Sequence, residues 1–376
     1  MQTDERRVLA INPGSTSTKF GIFRRDTSEW VSSILHRDEE LEKFRGMSAL
    51  AQLDYRARPL AEALQNAGYD ATQFAAVAGR GGLLPPTECG TYLVNDVMVE
   101  ELRLARRGEH ACNLGAVLAL RFARAAGVKA YIVDPVTVDE WQPCARLSGL
   151  PAIPRSPIGH ALNTKAVARR FAAETGRAYS DLQLVVVHMG SGITVSAHRE
   201  GRMIDNNTPQ EGPFGPDRTG SLPVQELIKL CCSGAWNAKQ LDRMVFGEGG
   251  LFAYLGTRDL REVERRIDSG DAEAKIVLDA MIYQITKEAG GMAAALRGKV
   301  DAVLLTGGMA HSERLIAQLQ EYLGWIAPVR VYPGEDELRA LADGVFRVLD
   351  GVEDAKLLRI EPHIDARRQG LVIGLE

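Results

Sequence analysis

RVLAINPGSTSTKFGIF, residues 7–23, is an apolar run that leads into a turn rich in glycine and hydroxyl side chains. A second stretch of this kind, QLVVVHMGSGITVSAHR, occupies residues 183–199, and aligning the two pairs Gly14 with Gly190 and Ser15 with Ser191. Each apolar run predicts a buried strand, and each turn bares N–H groups and hydroxyls that suit phosphate. The duplication therefore predicts two related α/β halves that hold one polyphosphate between them.

The composition is that of an ordinary globular protein. The 376 residues are 45% hydrophobic and 25% charged, with a net charge of −4, which allows about two domains of 150–200 residues. No basic surface for nucleic acid is indicated, and no apolar run approaches the ~20 residues that span a bilayer. The first residues, MQTDERRVLAIN, carry acids and lack the apolar core typical of a signal peptide, and the five cysteines form no C-x-x-C pair. We expect a cytoplasmic protein that binds neither nucleic acid nor membrane.

The pattern of apolar runs predicts a repeated order of elements. The first half begins with a three-stranded meander, followed by strands and helices in alternation, and the second half repeats this order. We predict that Ser156-Pro157 starts a helix and that the chain crosses between domains within 147–157. The predicted domains are 1–152 plus roughly 345–376, and 153–344.

Two arginines lie in glycine-rich loops. Arg80 lies in GRGG at 79–82, and Arg218 is central in GPFGPDRTGSLP at 212–223. Flanking glycines allow a guanidinium to bind an anion with two hydrogen bonds. Each could instead be a surface arginine in a flexible turn. Two such arginines on separate loops fit a group transfer between two anions.

Other candidates each have a structural alternative. Asp134 ends a strand and is either a Mg²⁺ ligand or a turn residue before proline. Gly307 and Gly308 follow a strand and either admit the flat face of a nucleoside or form a plain turn. The run Glu335-Asp336-Glu337 is typical of an acidic helix start.

Taken together, these motifs resemble the acetate/butyrate kinase family of the actin–Hsp70–sugar kinase superfamily, most closely its butyrate kinase branch. The resemblance extends from Val8 to about Val348 and includes INPGSTSTKF, GRGGLLPP, GEHACNLGA, HALNTKAVARR, VVHMGSGITV and TGGMAHS. It implies an α/β fold of two duplicated ribonuclease H-like (actin-like ATPase) domains with a nucleotide cleft between them. It also implies ATP/ADP and Mg²⁺ as cofactors, a homo-oligomer, and reversible in-line phosphorylation of a short-chain carboxylate to an acyl phosphate.

The resemblance assigns roles to individual residues. Asn12 would contact the transferring phosphoryl group or its metal, Arg80 and Arg218 would bind the carboxylate and neutralise the transition state, and His188 would steady the phosphoryl group. The implied catalytic positions are Asn12, Arg80, Asp134, His160, His188 and Arg218. The implied nucleotide positions are Ser15, Ser17, Lys19, Gly190, Ser191, Gly192, Asp259, Arg261, Gly307 and Gly308. The implied metal ligands are Asp134 with Asp336 or Glu337, the choice being open because the usual Asn-Glu-Glu stretch is Glu-Asp-Glu here. Thr164 stands where acetate kinases usually have a second histidine.

The size of the acid is predicted from the loop after Arg80. Acetate kinases carry aliphatic bulk there, whereas this chain has Gly81 and Gly82. We expect Gly81, Gly82, Leu83 and His110 to form a pocket with room for butyrate, with isobutyrate or valerate as further candidates. Acetate/propionate kinase and branched-chain fatty acid kinase are alternatives in the same family. A non-enzymatic nucleotide-driven clamp or a sugar kinase are alternatives of other classes.

Overall fold

A meander opens the chain, as the sequence predicts. The computed structural model describes residues 5–360, and all bounds below refer to that part. The elements up to Asp139 are β1 (Val8–Pro13), β2 (Ser17–Phe23), β3 (Ser28–Leu35), α1 (Asp38–Glu42), α2 (Leu53–Asn66), β4 (Ala76–Arg80), β5 (Thr91–Leu93), α3 (Asp96–Leu104), α4 (Leu114–Ala126) and β6 (Lys129–Val133).

The middle of the chain repeats the meander and then continues with helices. Its elements are α5 (Ala161–Thr175), β7 (Gln183–Met189), β8 (Ile193–Arg199), β9 (Arg202–Asn206), α6 (Val224–Cys232), α7 (Ala238–Val245), α8 (Gly250–Leu255), α9 (Leu260–Asp268), α10 (Ala272–Ala295), β10 (Ala302–Gly307), α11 (Glu313–Leu323) and β11 (Val329–Pro333). The chain then forms α12 (Glu337–Leu349) and β12 (Lys356–Leu357).

The chain divides into two units. One contains the residues up to Asp139, Leu150–Ala152 and the described residues from Asp336 onward; the other contains Glu140–Gly149 and Ile153–Glu335. The return to the first unit thus comes at Asp336, before α12, because α12 packs on β1, β4 and β6 of the first sheet. Residues 361–376 of the predicted first domain lie outside the described residues.

The first unit is built on a seven-stranded sheet with the order β12-β5-β6-β4-β1-β2-β3. β1 is antiparallel to β2 and parallel to β4, and β4 is parallel to β6. Helix α4 crosses β4 at a pair of glycines, where a Cβ on Gly79 would lie 2.1 Å from the Gly115 carbonyl oxygen. Only glycine permits so close an approach of helix and strand backbones.

The second unit is built on a five-stranded sheet with the order β11-β10-β7-β8-β9. β7 is antiparallel to β8 and parallel to β10, which is the arrangement of β1 between β2 and β4. The face of α10 predicted from four-residue spacing, Val277, Met281, Ile285 and Ala289, is buried in the core. The two hairpins therefore occupy equivalent positions in their sheets.

The prediction that Ser156-Pro157 starts a helix is wrong, because α5 begins at Ala161. Asn206 Nδ2 donates to the Ile158 carbonyl at 3.2 Å, and this bond holds the preceding segment against β9. Over residues 5–360, every helix is too short or too polar to cross a bilayer.

Candidate active site

The first turn, residues 14–17, is supported from below by a buried arginine. Arg56 of α2 is 1% exposed. Its Nη1 donates to the carbonyls of Gly14 at 2.9 Å and Ser17 at 3.2 Å, and its Nη2 donates to the carbonyl of Ser15 at 3.2 Å. Because Arg56 binds these carbonyl oxygens, their partial negative charges point away from the side of the turn that would face an anion.

A histidine lies next to this arginine. Thr18 Oγ1 accepts from Arg56 Nη1 at 3.0 Å and lies 2.8 Å from His36 Nε2, within hydrogen-bond distance of the imidazole. Burial, and then the positive charge of Arg56, lower the pKa of His36 from 6.5 to about 4. His36 is therefore an uncharged imidazole at neutral pH.

Asn12, Arg80 and Glu337 form one cluster in the first unit. Because β1 and β4 are adjacent parallel strands, Asn12 near the end of β1 lies close to Arg80 at the end of β4. Glu337 in the first turn of α12 accepts from both: its Oε2 is 2.6 Å from Asn12 Nδ2 and 2.5 Å from Arg80 Nη1. Arg80 Nη1 also lies 3.4 Å from Asn12 Oδ1. A guanidinium, an amide and a carboxylate therefore meet at one edge of the sheet.

The donors in this cluster fit a magnesium ion. The Glu337 carboxylate and the Asn12 amide oxygen are the hard oxygen ligands that Mg²⁺ prefers. Asp336, the other candidate, is the N-cap of α12 and accepts from the Arg339 N–H at 3.2 Å. Asp134 is buried at the end of β6, where its Oδ1 accepts from the Gly90 N–H at 2.8 Å. Within residues 5–360 no three His, Cys, Asp or Glu side chains gather as a ready metal site.

Two stacked histidines lie next to the second turn, residues 190–192. The rings of His160 and His188 are 3.9 Å apart and 15° from parallel. His188, in β7, is fully buried, and its Nδ1 lies 2.8 Å from Asn163 Nδ2 on α5. His160 Nδ1 lies 2.8 Å from Thr194 Oγ1 on β8. Both rings are thus held by polar contacts from neighbouring elements.

Arg218 lies beside these histidines. A Cβ on Gly192 would lie 2.4 Å from Arg218 Nη1 and 3.3 Å from His160 Cε1, so this glycine leaves the space that the guanidinium fills. The guanidinium carbon lies 4.3 Å from the ring centroid of Phe246. Burial lowers the pKa of Arg218, but an arginine starts from so high a value that it keeps its charge at neutral pH.

A cavity of about 640 Å³ adjoins the second turn. This volume is within the usual range for small-molecule sites. The predicted nucleotide residues that line it are Gly190, Ser191, Asp259, Arg261 and Gly308. The lining residues not predicted are Pro216, Asp217, Arg258, Leu260, Glu264, Met309, His311, Ser312 and Glu335.

Gly307, which is predicted for the adenosine turn, has a packing role in the structure. Its φ is 96°, and a Cβ there would lie 2.4 Å from the Met189 carbonyl oxygen. It lets the end of β10 approach the end of β7, while Gly308 lines the cavity. Asp259 caps α9, and its carboxylate pairs with Arg261 at 2.8 Å.

The expected room beside Gly81 and Gly82 is absent. A Cβ on Gly81 would lie 2.5 Å from Pro135 Cβ, and one on Gly82 would lie 2.7 Å from Asn113 Cα. Protein atoms fill the space, so the prediction that the missing side chains accommodate an acyl tail is wrong. These glycines serve close packing. Leu83 is half-buried and His110 exposed; both remain predictions for the acid pocket.

Lys19 and two serines lie in the first hairpin, at or near its turn. Lys19 lies opposite Asn12 in the register of β1 and β2, and its side chain is exposed. Ser15 is exposed at the turn and Ser17 half-buried. Their binding of phosphate remains a prediction.

Sequence reasoning did not single out Arg56 or Asn163, and it interpreted Glu335 only as part of an acidic helix start. Arg56 lies in an unremarkable helix, so nothing in its surroundings marks it. Asn163 lies in the stretch HALNTKAVARR and Glu335 in the run Glu335-Asp336-Glu337, where a polar residue next to a candidate was a usable signal.

The chain belongs to the acetokinase family, a family of kinases that use ATP: residues 159–323 match its sequence profile, and a curated relative is 45% identical over 353 residues. That relative is the probable butyrate kinase of Clostridium botulinum (strain Alaska E43 / Type E3), and the match covers 93% of this chain and 99% of the relative. The predicted family is confirmed.

Solved structures confirm the predicted fold class. The acetate kinase of Porphyromonas gingivalis matches with a TM-score of 0.76 and 18% identity, covering 92% of this chain and all of that one (100%). The propionate kinase of Francisella tularensis subsp. tularensis SCHU S4 matches with a TM-score of 0.70 and 16% identity, covering 90% and 98% of the two chains. The fold is α/β with two mixed sheets.

Proposed function

We propose that this protein transfers the γ-phosphoryl group of ATP reversibly to butyrate, giving butyryl phosphate and ADP. The proposal is supported by the 45% identity to a probable butyrate kinase. The observation that carries the chemistry is the cluster of Asn12, Arg80 and Glu337, because it offers a guanidinium and oxygen ligands together.

The reaction needs no general base. A carboxylic acid with a pKa between about 4 and 5 is already ionised at neutral pH, so the nucleophile is ready. The obstacle is the repulsion between this carboxylate and the anionic phosphoryl group. Arg80 and Arg218 would bind the carboxylate and offset the charge that develops, and the His188 imidazole would donate to the phosphoryl oxygens.

Glu337 and Asn12 would hold the magnesium ion. Asp134, which directly follows β6, is a further candidate ligand. When bound, the ion neutralises phosphate oxygens. Gly190, Ser191, Asp259, Arg261 and Gly308 would bind the nucleotide in the 640 Å³ cavity, and Ser15, Ser17 and Lys19 would contact its phosphates.

We further propose that the protein is a cytoplasmic homo-oligomer. All five cysteines, which fall within the described residues, are free, and unpaired thiols are typical of a reducing compartment. Helices α6 and α7 bury none of their residues. Val224 and Ile228 of α6 and Trp236 of the following loop are exposed, and exposed apolar surface of this kind often marks a protein–protein contact.

The test is to trap the product with hydroxylamine, using ATP and acetate, propionate, butyrate, isobutyrate or valerate. We expect an acyl hydroxamate, with kcat/KM for butyrate exceeding that for acetate roughly fifteenfold, because two buried CH₂ groups contribute about 0.8 kcal/mol each. Equal values for acetate and butyrate would refute the preference. ATP hydrolysis without any acyl hydroxamate would favour the nucleotide-driven clamp.

The same assay tests the arginines. We expect Arg80→Ala and Arg218→Ala to lower kcat by at least ~100-fold, the scale of losing one preorganised donor. Arg103→Ala is the control, because Arg103 is exposed and pairs with Glu100 on the surface of α3. Near-normal turnover in Arg80→Ala or Arg218→Ala contradicts the mechanism.

A further inference from the structure

Both ring nitrogens of His188 have defined surroundings. Its Nδ1 faces Asn163 Nδ2 at 2.8 Å, and its Nε2 faces Glu335 Oε1 at 3.3 Å. The Nε2 atom is buried, and its contact with Glu335 falls short of hydrogen-bond geometry. A neutral imidazole carries its proton on only one nitrogen, so these surroundings select which one.

A chain of polar groups orients the Asn163 amide. Thr306 Oγ1 donates to the Gly334 carbonyl at 3.2 Å, and this uses the one proton that the hydroxyl has. Thr306 Oγ1 can then only accept from Asn163, whose Nδ2 lies 3.3 Å away. The amide therefore turns its NH₂ group towards both Thr306 and His188. Its second N–H donates to His188 Nδ1, which must be unprotonated.

The contact on the opposite side of the His188 ring independently favours a proton on Nε2. A lone pair on Nε2 would face the carboxylate oxygen of Glu335, whereas an N–H there is attracted to it. Asn163, Thr306 and His188 are all at least 97% buried, since their exposed fractions are 3%, 0% and 0%. Water therefore offers no competing partner to this arrangement.

We propose that Asn163, oriented by Thr306, is a positioning residue that holds His188 in the Nε2–H tautomer. The inference rests on the proposed function for its catalytic consequence. The Nε2–H group, which lies next to Gly190 of the second turn, would direct its positive end towards an anion bound at that turn, whereas the other tautomer would direct a lone pair there. Asn163 thus sets the sign of the interaction between His188 and the transferring group.

The experiment combines nitrogen NMR with kinetics. The protein is labelled with ¹⁵N-histidine, and long-range ¹H–¹⁵N correlation spectra identify which ring nitrogen carries the proton; His188→Asn assigns the signals. In the wild type we expect a protonated Nε2 and an unprotonated Nδ1. Asn163→Asp should move the proton to Nδ1, because a carboxylate only accepts hydrogen bonds.

Kinetics test the consequence. We expect Asn163→Asp to lower kcat about 10- to 100-fold, as for other residues that orient a reacting group, and to leave KM for ATP and butyrate within about threefold. Thr175→Val is the control: it lies at the C-terminal end of α5, away from His188, and its hydroxyl bonds the carbonyls of Phe171 and Ala172. It should retain the wild-type tautomer and kcat.

Two results overturn the proposal: an Nδ1-protonated His188 in the wild type, or an unchanged kcat once the proton has moved. Thr306→Val is the second variant, in case Asn163→Asp does not fold, and should populate the Nδ1–H tautomer by freeing the amide. An unchanged tautomer in Thr306→Val also counts against the proposal. Since the NMR readout needs no substrate, a failure of the proposed function would appear in the hydroxamate assay alone.

Discussion

Arg56 and His36 illustrate how buried ionisable residues can shape a binding turn from beneath. Arg56 keeps its charge while donating to three backbone carbonyls. His36 lies close enough for that charge to oppose its protonation. The turn therefore depends on one cation and one neutral imidazole, and a second positive charge would disturb it.

This arrangement predicts a loss of stability in acid. The pKa of His36 is lowered from 6.5 to about 4 in the folded protein, so the unfolded chain binds a proton first as the pH falls. The uncharged His36 contributes roughly 3 kcal/mol to the free energy of unfolding above about pH 6.5. This contribution is lost as the pH falls towards 4. Urea unfolding of the wild type and His36→Gln across this range measures it. A variant with the wild-type pH dependence would show that another group is responsible.

At the same scale, sequence reasoning marked candidate residues of the site but not the residues that hold them in place. Arg80 was marked by its glycines and His188 by its turn. Of the alternatives left open for the metal, Glu337 joins Asn12 and Arg80, whereas Asp336 caps its helix. A capping residue and a candidate ligand one position apart look alike in sequence, because helix geometry decides which way each side chain points.

Elements with strong periodicity were predicted well, and short ones were not. Strands β1 to β3, β7 to β9 and helix α10 follow from apolar spacing. Strands β5 and β12 have only three and two residues, too few for a pattern. The error at Gly81 and Gly82 has a related cause: a glycine in sequence does not reveal whether its missing side chain leaves a void or admits neighbouring atoms.

The crossing of α4 over β4 predicts a sensitive glycine. A Cβ at Gly115 would lie 2.2 Å from the Arg80 carbonyl oxygen, so Gly115→Ala should cost about 1–3 kcal/mol of unfolding free energy through overpacking. It should also lower kcat, since the strand end that carries Arg80 must shift. Denaturant unfolding and the hydroxamate assay measure the two effects.

The control for that substitution is Gly291→Ala on α10, where a Cβ meets no atom within 4 Å. It should stabilise the protein by about 0.5–1 kcal/mol, the difference in helix propensity between the two residues. If both alanine variants had wild-type stability and activity, close packing at Gly115 would not constrain Arg80.

For the molecule as a whole, duplication was the most informative property of the sequence. The two similar hairpin sequences predicted equivalent strand arrangements. In the structure, β1 and β7 each have one antiparallel and one parallel neighbour. The boundary between units did not follow as closely, because α12 joins the first sheet through packing contacts that no local pattern records. Assembly into an oligomer is likewise a property of surfaces, and it is open to measurement.

The exposed apolar residues of α6 and the following loop predict a self-association surface. Trp236 is 43% exposed and Ile228 56% exposed. We expect light scattering after gel filtration to give a dimer or larger species, and the combined Ile228→Glu and Trp236→Glu variant to lower its mass. Trp325→Glu is the control, since Trp325 is also exposed but follows α11. A monomeric wild type would contradict the proposal.

The contact between Arg56 and the Gly14 carbonyl joins residues 42 positions apart in the chain. The hairpin of β1 and β2 is local and can form early, because its contacts are close in sequence. Its turn acquires the final shape only when α2 docks and supplies the guanidinium. During refolding, the capacity to bind phosphate at this turn should therefore appear later than the strands that flank it.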